Sequence, residues 1–420
     1  MKNKNILPVI MMILLFGMIS FVTNLAAPLG IVVKEQFHVS SFLGMLGNFA
    51  NFMAYAIMGI PAGLLLHKIG YKKTALSAIL VGLMGVVIQY LSGVVGSFSI
   101  YLVGAFVAGF SMCMLNTVVN PMLNILGGGG NKGNQLIQIG GTFNSLIGMF
   151  IPILVGVLIG EMTKNTAIAD VNLVLFIAMG VFLLVGIVLS LTKIPEPHFK
   201  KDVVDGNYKY TPWSFRHFVL GAIAIFLYVG IEVGTPATMN FFLVDLGISA
   251  AVSGTVVGTF YMMMLIGRLM GVSIAARFSS KEMLGVSSAL GIVLVLLAIL
   301  SSPEIKINIP VFQTLSSGVT LGICKVPINA VFLVLIGACT SIMWGSIFNL
   351  AVEGLGKYVA AASGIFMMMV CGGGILPLIQ NAISDSLGYM TSYWIIFLGF
   401  SYLLYYALFG SKNVNRDINV

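Results

Sequence analysis

From Ile6 to Val33, and again from Val171 to Leu191, the chain runs without a charged side chain and without the polar–apolar alternation of a half-buried strand. A helical membrane crossing needs about 20 apolar residues. Twelve such stretches lie near 6–33, 42–66, 74–95, 99–126, 135–160, 170–192, 217–244, 251–277, 281–301, 328–353, 358–384 and 389–410. With no water in the bilayer core, a helix satisfies every backbone N–H and C=O within its own segment. The expected fold class is therefore an all-α membrane protein with twelve transmembrane helices. Composition agrees: 59% of the 420 residues are hydrophobic, 8% are charged and mean hydropathy is +1.05, against about 25% charged residues in a soluble domain. A β-barrel is excluded, since its strands would be short and alternating. The first apolar run follows MKNKN like a secretory leader, but it is too long for one and reads as a retained span.

The most charged stretch, Lys193 to Arg216, carries Pro195, Pro197 and Pro212 and divides the chain. The expected organisation is an N-terminal six-helix bundle over 1–192, a linker over 193–216 and a C-terminal six-helix bundle over 217–420. The second set holds an extra polar insert at Ser302–Pro327. With both termini on the cytoplasmic face, sixteen Lys and Arg residues fall inside, against Lys34, Lys164, Lys306 and Lys325 outside. That bias is the positive-inside pattern of a multi-pass protein of the cell membrane, here read as a bacterial inner membrane. Net charge of +8 thus speaks to sidedness, and nucleic acid is not an expected partner. Cys113, Cys324, Cys339 and Cys371 show no paired spacing, so neither a disulfide framework nor a metal site is expected.

Weak internal symmetry makes the two bundles pseudo-symmetric. Asn24 and Pro28 in span 1 share the spacing of Glu232 and Pro236 in span 7. NPMLNILG, beginning at Asn120, matches NLAVEGLG, beginning at Asn349, at its Asn, Leu and Gly positions. Gly148 and Pro152 in span 5 parallel Gly373 and Pro377 in span 11. Repeated halves of this kind are common in secondary transporters, which bind their solutes near the membrane midplane.

Polar residues within the spans form stripes. Asn116, Asn120 and Asn124 recur every four residues and share one helical face. Asn48, Asn51 and Tyr55 share a face of span 2, and Gln135, Gln138, Thr142 and Ser145 share one of span 5, with Asn144 on another beside Gly141 and Gly148. Tyr228, Glu232 and Thr235 line span 7, while Trp344 and Asn349 lie in span 10. Amides donate to and accept from hydroxyls, and aromatic faces cover the apolar face of a sugar ring, so the inventory suits a polyhydroxylated solute. The candidate substrate-binding residues are Asn24, Asn48, Asn51, Asn116, Asn120, Gln138, Asn144, Tyr228, Trp344 and Asn349. A single intramembrane amide also joins helices to one another, and both roles stay open for each residue.

An ionisable side chain at membrane depth is costly unless paired or facing water, which makes Glu232 the candidate for ion coupling. Arg268 is placed nearer the cytoplasmic end of its span. With Lys68, Lys72, Arg277 and Glu353 it forms the candidate gating set, in which opposite charges hold one end closed. No nucleophile–base pair or phosphate loop points to an enzyme.

The loop GLLLHKIGYKK, Gly63–Lys73, resembles the signature of the major facilitator superfamily, with His67 where that signature usually has Asp. NTVVNP at Asn116, FNS at Phe143, YVGIEV at Tyr228, SIMWGSIFNLAVEGLGKY at Ser341 and SGIFMMMVCGGGILP at Ser363 are similar to the fucose permease and glucose/galactose permease branch, the fucose-galactose-glucose proton symporters. The resemblance covers essentially the whole chain and implies the two-bundle fold and a sugar substrate. It also implies coupling carboxylates in spans 1 and 4, where this chain has Ala27 and Asn116. Glu232, which matches an acid of the glucose/galactose-like members, is then the mid-span carboxylate left for coupling. IGG at Ile139–Gly141 replaces the LAQ that usually precedes FNS.

The expectation is a monomer-competent importer of a neutral monosaccharide of the fucose, glucose/galactose or amino-sugar type, coupled to a proton or sodium ion and needing no other cofactor. The alternatives are an exporter of small amphipathic molecules and an uncoupled sugar facilitator.

Overall fold

The computed structural model describes residues 6–37, 46–159, 168, 172–196, 210–248, 250–315 and 318–415. Nine long helices come first: α1 (Ile6–Phe37), α2 (Leu46–Ile69), α3 (Tyr71–Val95), α4 (Phe98–Leu126), α5 (Gly130–Ile159), α6 (Asn172–Leu191), α7 (Arg216–Asp245), α8 (Ala250–Ala275) and α9 (Ser280–Leu300). Among the described residues eleven stretches are long and apolar enough to cross a membrane. The remaining crossing is α5, whose 30 residues rise about 45 Å.

Burial follows position in the bundle rather than hydrophobicity. The most apolar span, Asn172–Leu191, is only 33% buried, whereas Ile328–Val352 is 72% buried. Lipid is as apolar as leucine, so Leu183, Leu184, Ile187 and Leu191 can stay exposed at the periphery. Phe98–Leu126 and Arg216–Leu243, which carry the Asn116 and Glu232 stripes, are 56% and 61% buried, where neighbouring helices can answer their polar groups.

One insert and two spans depart from continuous helix. The polar insert after α9 forms an antiparallel hairpin of β1 (Lys306–Leu315) and β2 (Gly318–Pro327), with Lys306 opposite Pro327 and Ile309 opposite Cys324. Its period is two. Ile309 and Val326 are buried while Lys306, Asn308, Pro310, Ile323 and Lys325 are exposed, which suits a sheet lying on helix ends with one face in water. Second, the span expected over 328–353 is two helices, α10 (Ile328–Thr340) and α11 (Met343–Val352). Thr340 and Ser341 turn their hydroxyls back onto the Gly337 and Ala338 carbonyls at 3.1 and 2.5 Å, competing with the backbone ladder at the break. Third, the span over 358–384 divides into α12 (Val359–Met368) and α13 (Gly372–Leu387), separated by a 3₁₀ turn before three consecutive glycines. The last crossing is α14 (Tyr389–Ser392) and α15 (Trp394–Tyr405), ending in a π turn at Tyr406–Gly410.

The chain after α6 folds back on the loop between α2 and α3. Glu196 accepts from the Tyr71 and Lys72 backbone N–H groups at 2.7 and 3.0 Å, satisfying two open donors at the start of α3. Gly70 makes this possible with φ of 84°, since a Cβ there would meet the Glu196 carboxylate at 2.8 Å.

Candidate functional site

The amide stripe of α4 forms a chain of hydrogen bonds. Asn116 Nδ2 donates to the Tyr55 hydroxyl on α2 at 3.0 Å and to the Met112 carbonyl at 3.2 Å. Asn120 Nδ2 donates to the Asn116 carbonyl at 2.9 Å, and Asn120 Oδ1 accepts from Trp344 Nε1 at 2.8 Å. The Trp344 ring, half-buried at the start of α11, stands 6.2 Å from Tyr228 and 6.1 Å from Phe366. Residues from α2, α4, α7, α11 and α12 therefore meet in one wall of amides and rings.

Beside this wall lies the charged centre. Arg268 on α8 pairs with Glu232 on α7, Nη2 to Oε1, at 3.4 Å. Arg268 is expected nearer one end of the membrane than Glu232, but its long side chain spans the difference in depth. Its Nε donates to the Ser341 carbonyl at 3.2 Å and its Nη1 to the Gly141 carbonyl on α5 at 2.8 Å. The Ser341 carbonyl is at the break between α10 and α11, where helix-end carbonyls lack intrahelical donors and a cation is favoured. Gln138 on α5 adds to the next carbonyl, its Nε2 donating to Ile342 at 2.9 Å beside the Ser346 hydroxyl, which donates to the same oxygen at 2.9 Å. Glu232 keeps 20% of its side chain exposed. Tyr228 is fully buried, and its hydroxyl and that of Thr235 are without hydrogen-bond partners.

Six hydrogen bonds join the first six crossings to the last six among the described residues. Each lies toward the end of the protein where α6 finishes and α7 begins. Nearest that end, Asn124 Nδ2 donates to Asn349 Oδ1 at 2.6 Å and Gln135 Nε2 to the Val272 carbonyl at 3.3 Å. On the opposite flank α2 and α12 meet through glycines: a Cβ on Gly364 would lie 2.5 Å from the Gly59 carbonyl and 2.7 Å from Gly63 Cα. The two sets of helices are thus closed against each other at this end.

The Major Facilitator Superfamily pattern matches residues 9–378. The chain belongs to the Major Facilitator Superfamily. Over 408 residues it is 28% identical to the glucose/galactose transporter of Brucella abortus, covering 95% of this chain and 93% of that one. It is 22% identical over 443 residues to the L-fucose-proton symporter of Escherichia coli, covering 99% and 95%. In structure it is similar to the superfamily transporter FucP in its outward conformation, with TM-score 0.82, 22% identity and coverage of 98% and 100%. The proton:xylose symporter XylE aligns with TM-score 0.72 and 13% identity, covering 97% and 96%. The resemblance carried by the sequence motifs agrees with these relatives.

Within this superfamily fold the sequence-selected residues fall into distinct places. Asn116, Asn120, Gln138, Tyr228, Trp344 and Glu232 belong to the central wall and charged centre. Asn349 is nearer the closed end, donating to Ser280 Oγ at 2.8 Å while accepting from Asn124. Asn144 serves as a helix tie: its Nδ2 donates to the Phe16 carbonyl at 2.9 Å and its own carbonyl accepts from Ser20 Oγ at 2.6 Å. Asn51 lines a small cavity of about 10 Å³ with Gln89 and Tyr101 between α2, α3 and α4. The side chains of Asn24 and Asn48 lie outside the described residues. Among the gating candidates, Lys68, Arg277 and Glu353 are exposed. Lys72 Nζ donates to the Ser190 carbonyl at 2.7 Å. Arg268 and Glu353 are not brought together: Arg268 turns to Glu232, and Glu353 offers its backbone carbonyl to His217 at 2.9 Å.

Tyr55, Phe366 and the carbonyls of Gly141, Ser341 and Ile342 were not selected as site groups. Tyr55 shares the stripe of Asn48 and Asn51, a signal that was present. Phe366 lies in a wholly apolar run, and backbone carbonyls have no signature in side-chain pattern.

Proposed function

We infer that this protein is a secondary active transporter that imports a neutral monosaccharide by ion-coupled symport, its helices rocking about the Asn120–Trp344–Tyr228 wall. The observation that carries the reading is this wall itself: amides that both donate and accept, set edge to edge with an indole and a phenol, beside a carboxylate that is one-fifth exposed. Hydroxyls of a sugar would exchange hydrogen bonds with the amides, while its apolar ring face would lie on the aromatics. The similar transporters named for glucose/galactose and fucose support this substrate class. The 2.8 Å bond from Trp344 to Asn120 crosses between the first and last six crossings, so solute that competes for it acts on the rocking interface directly.

Glu232 is the coupling group of this scheme, with a proton or sodium ion as its partner. Both termini lie in the cytoplasm, so the closed end faces inward and solute enters from outside. The protein works as a monomer and catalyses no covalent reaction.

Uptake of radiolabelled fucose, glucose, galactose and N-acetylglucosamine into proteoliposomes, under imposed proton or sodium gradients, tests the reading. One sugar should accumulate under one gradient. Accumulation of none, with efflux of an amphipathic cation instead, would replace importer with exporter; entry that stops at equilibrium would make the protein a facilitator.

A further inference from the structure

A cleft of about 450 Å³ opens where the turn between α2 and α3 meets the chain leaving α6, lined by Ile69, Lys72, Lys73, Lys193, Ile194 and Glu196. That volume falls within the ~300–1,000 Å³ of small-molecule sites. Three ammonium groups share the lining with one carboxylate, and the carboxylate is engaged elsewhere: Glu196 accepts from the Tyr71 and Lys72 backbone N–H groups at 2.7 and 3.0 Å. Among the described residues no acid pairs with any of the three lysines. Lys72 Nζ reaches the Ser190 carbonyl at 2.7 Å, which holds it over the end of α6, while Lys73 and Lys193 are exposed. The cleft therefore has an excess of positive charge around an apolar floor of Ile69 and Ile194. The same two materials continue below it. On α3, Lys73 heads a helical face that carries the exposed Leu80 and Met84, seven and eleven residues further on. On α6, Leu184, Ile187 and Leu191 form a second exposed face that ends two residues before Lys193. The two helices pack together, since a Cβ on Gly186 would lie 3.2 Å from Ile79 Cγ2 and one on Gly82 would strike the Phe182 ring. A soluble anion would use the charges alone, whereas an amphiphile uses the charges and both apolar faces.

We propose that this cleft holds the headgroup of an anionic phospholipid, with the acyl chains lying along the exposed faces of α3 and α6. Lys73 and Lys193 donate to the phosphodiester oxygens in charge-assisted hydrogen bonds, and Lys72 adds its charge from the end of α6. Leu80 and Leu191 meet the first segments of the chains. Basic pockets between membrane helices on the cytoplasmic side suit such headgroups, and the proposed topology puts the cleft on that side. Glu196 already ties the start of α3 to the chain after α6, and a lipid held by Lys73 and Lys193 adds a second tie across the same joint. The site needs no particular solute and no coupling ion, so it stands or falls apart from the transport reading.

Full-length protein, stripped of lipid in detergent, tests the site. Phosphatidylglycerol and phosphatidylcholine with the same acyl chains are titrated in separately, and the lipid retained is counted by native mass spectrometry. Wild type should hold its first phosphatidylglycerol about a hundredfold more tightly than the zwitterionic lipid, three lysines contributing about fivefold each. Lys73→Gln with Lys193→Gln, two exposed side chains, should leave a preference of about fivefold and lose the rise in melting temperature that phosphatidylglycerol gives the wild type. Lys132→Gln with Lys281→Gln removes two equally exposed lysines outside the cleft and should keep the full preference. A preference that survives in the first pair, or that falls equally in both pairs, would overturn the proposal. Glycerol phosphate, a headgroup without chains, should displace none of the bound lipid at the same concentration. Displacement would give the cleft to a soluble phosphate and overturn the lipid assignment.

Discussion

Helices α4 and α7 both carry a polar stripe through the middle of the membrane, but they complete it differently. On α4 the amides satisfy one another and their neighbours: Asn116 reaches Tyr55 and Met112, Asn120 reaches Asn116 and Trp344, and Asn124 reaches Asn349. On α7, Glu232 makes one 3.4 Å hydrogen bond, and the buried hydroxyls of Tyr228, beside Glu232 and Arg268, and of Thr235 make no well-formed one. A buried polar group left unpaired costs about 1–3 kcal/mol. The neutral stripe is therefore a preset, rigid surface, while the charged one retains open hydrogen-bonding capacity. A ligand or ion would gain most where that capacity is open.

The contrast can be broken most directly at its charge. Glu232→Gln should abolish accumulation of sugar above the outside concentration while counterflow of the same sugar across unenergised vesicles continues. Accumulation at wild-type level would leave Glu232 a structural partner of Arg268 and erase the distinction between the stripes. A finer comparison sets Tyr228→Phe against Asn116→Ala. Removing the unpartnered hydroxyl should raise the melting temperature and weaken half-saturation for sugar by about tenfold, the loss of one substrate hydrogen bond of about 1.4 kcal/mol. Deleting the satisfied amide should do the reverse, costing about 1 kcal/mol of stability with a smaller change in half-saturation. Calorimetry and uptake on the same preparations would expose an exchange of these outcomes. The smallest effect belongs to Glu196→Ala, remote from both stripes. It removes an acceptor from the start of α3 at a cost of about 1 kcal/mol, read as a lowered melting temperature with half-saturation unchanged.

The crossings were legible because the bilayer writes its thickness into the sequence as apolar length. Glu232 stood out because charge is rare at that depth, and the Asn116–Asn120–Asn124 stripe because four-residue spacing returns to one helical face. The partner of Glu232 was less accessible: counting residues sets Arg268 at another depth, and only the extended guanidinium closes the distance. The broken spans were hidden for a related reason. Thr340, Ser341 and Gly372–Gly374 are tolerated in continuous membrane helices as readily as in interrupted ones, and what decides is whether a neighbour can take the freed carbonyls. The hairpin of β1 and β2 did show alternation, in Ile307, Ile309 and Val311, but its polar and Pro-containing character obscured it.

Sequence by itself determined the membrane class, the number of crossings and which residue types would stand at the centre, since each follows from transfer of individual side chains and backbone groups into lipid. Tertiary structure alone decided which polar groups would be satisfied and by whom. Asn144 was assigned to Phe16 of α1, Asn120 to Trp344, and Arg268 to one carboxylate and two carbonyls on separate elements. Hydrogen bonds are short and directional, so their partners are fixed by where helices cross in space and not by the order of residues along any one of them.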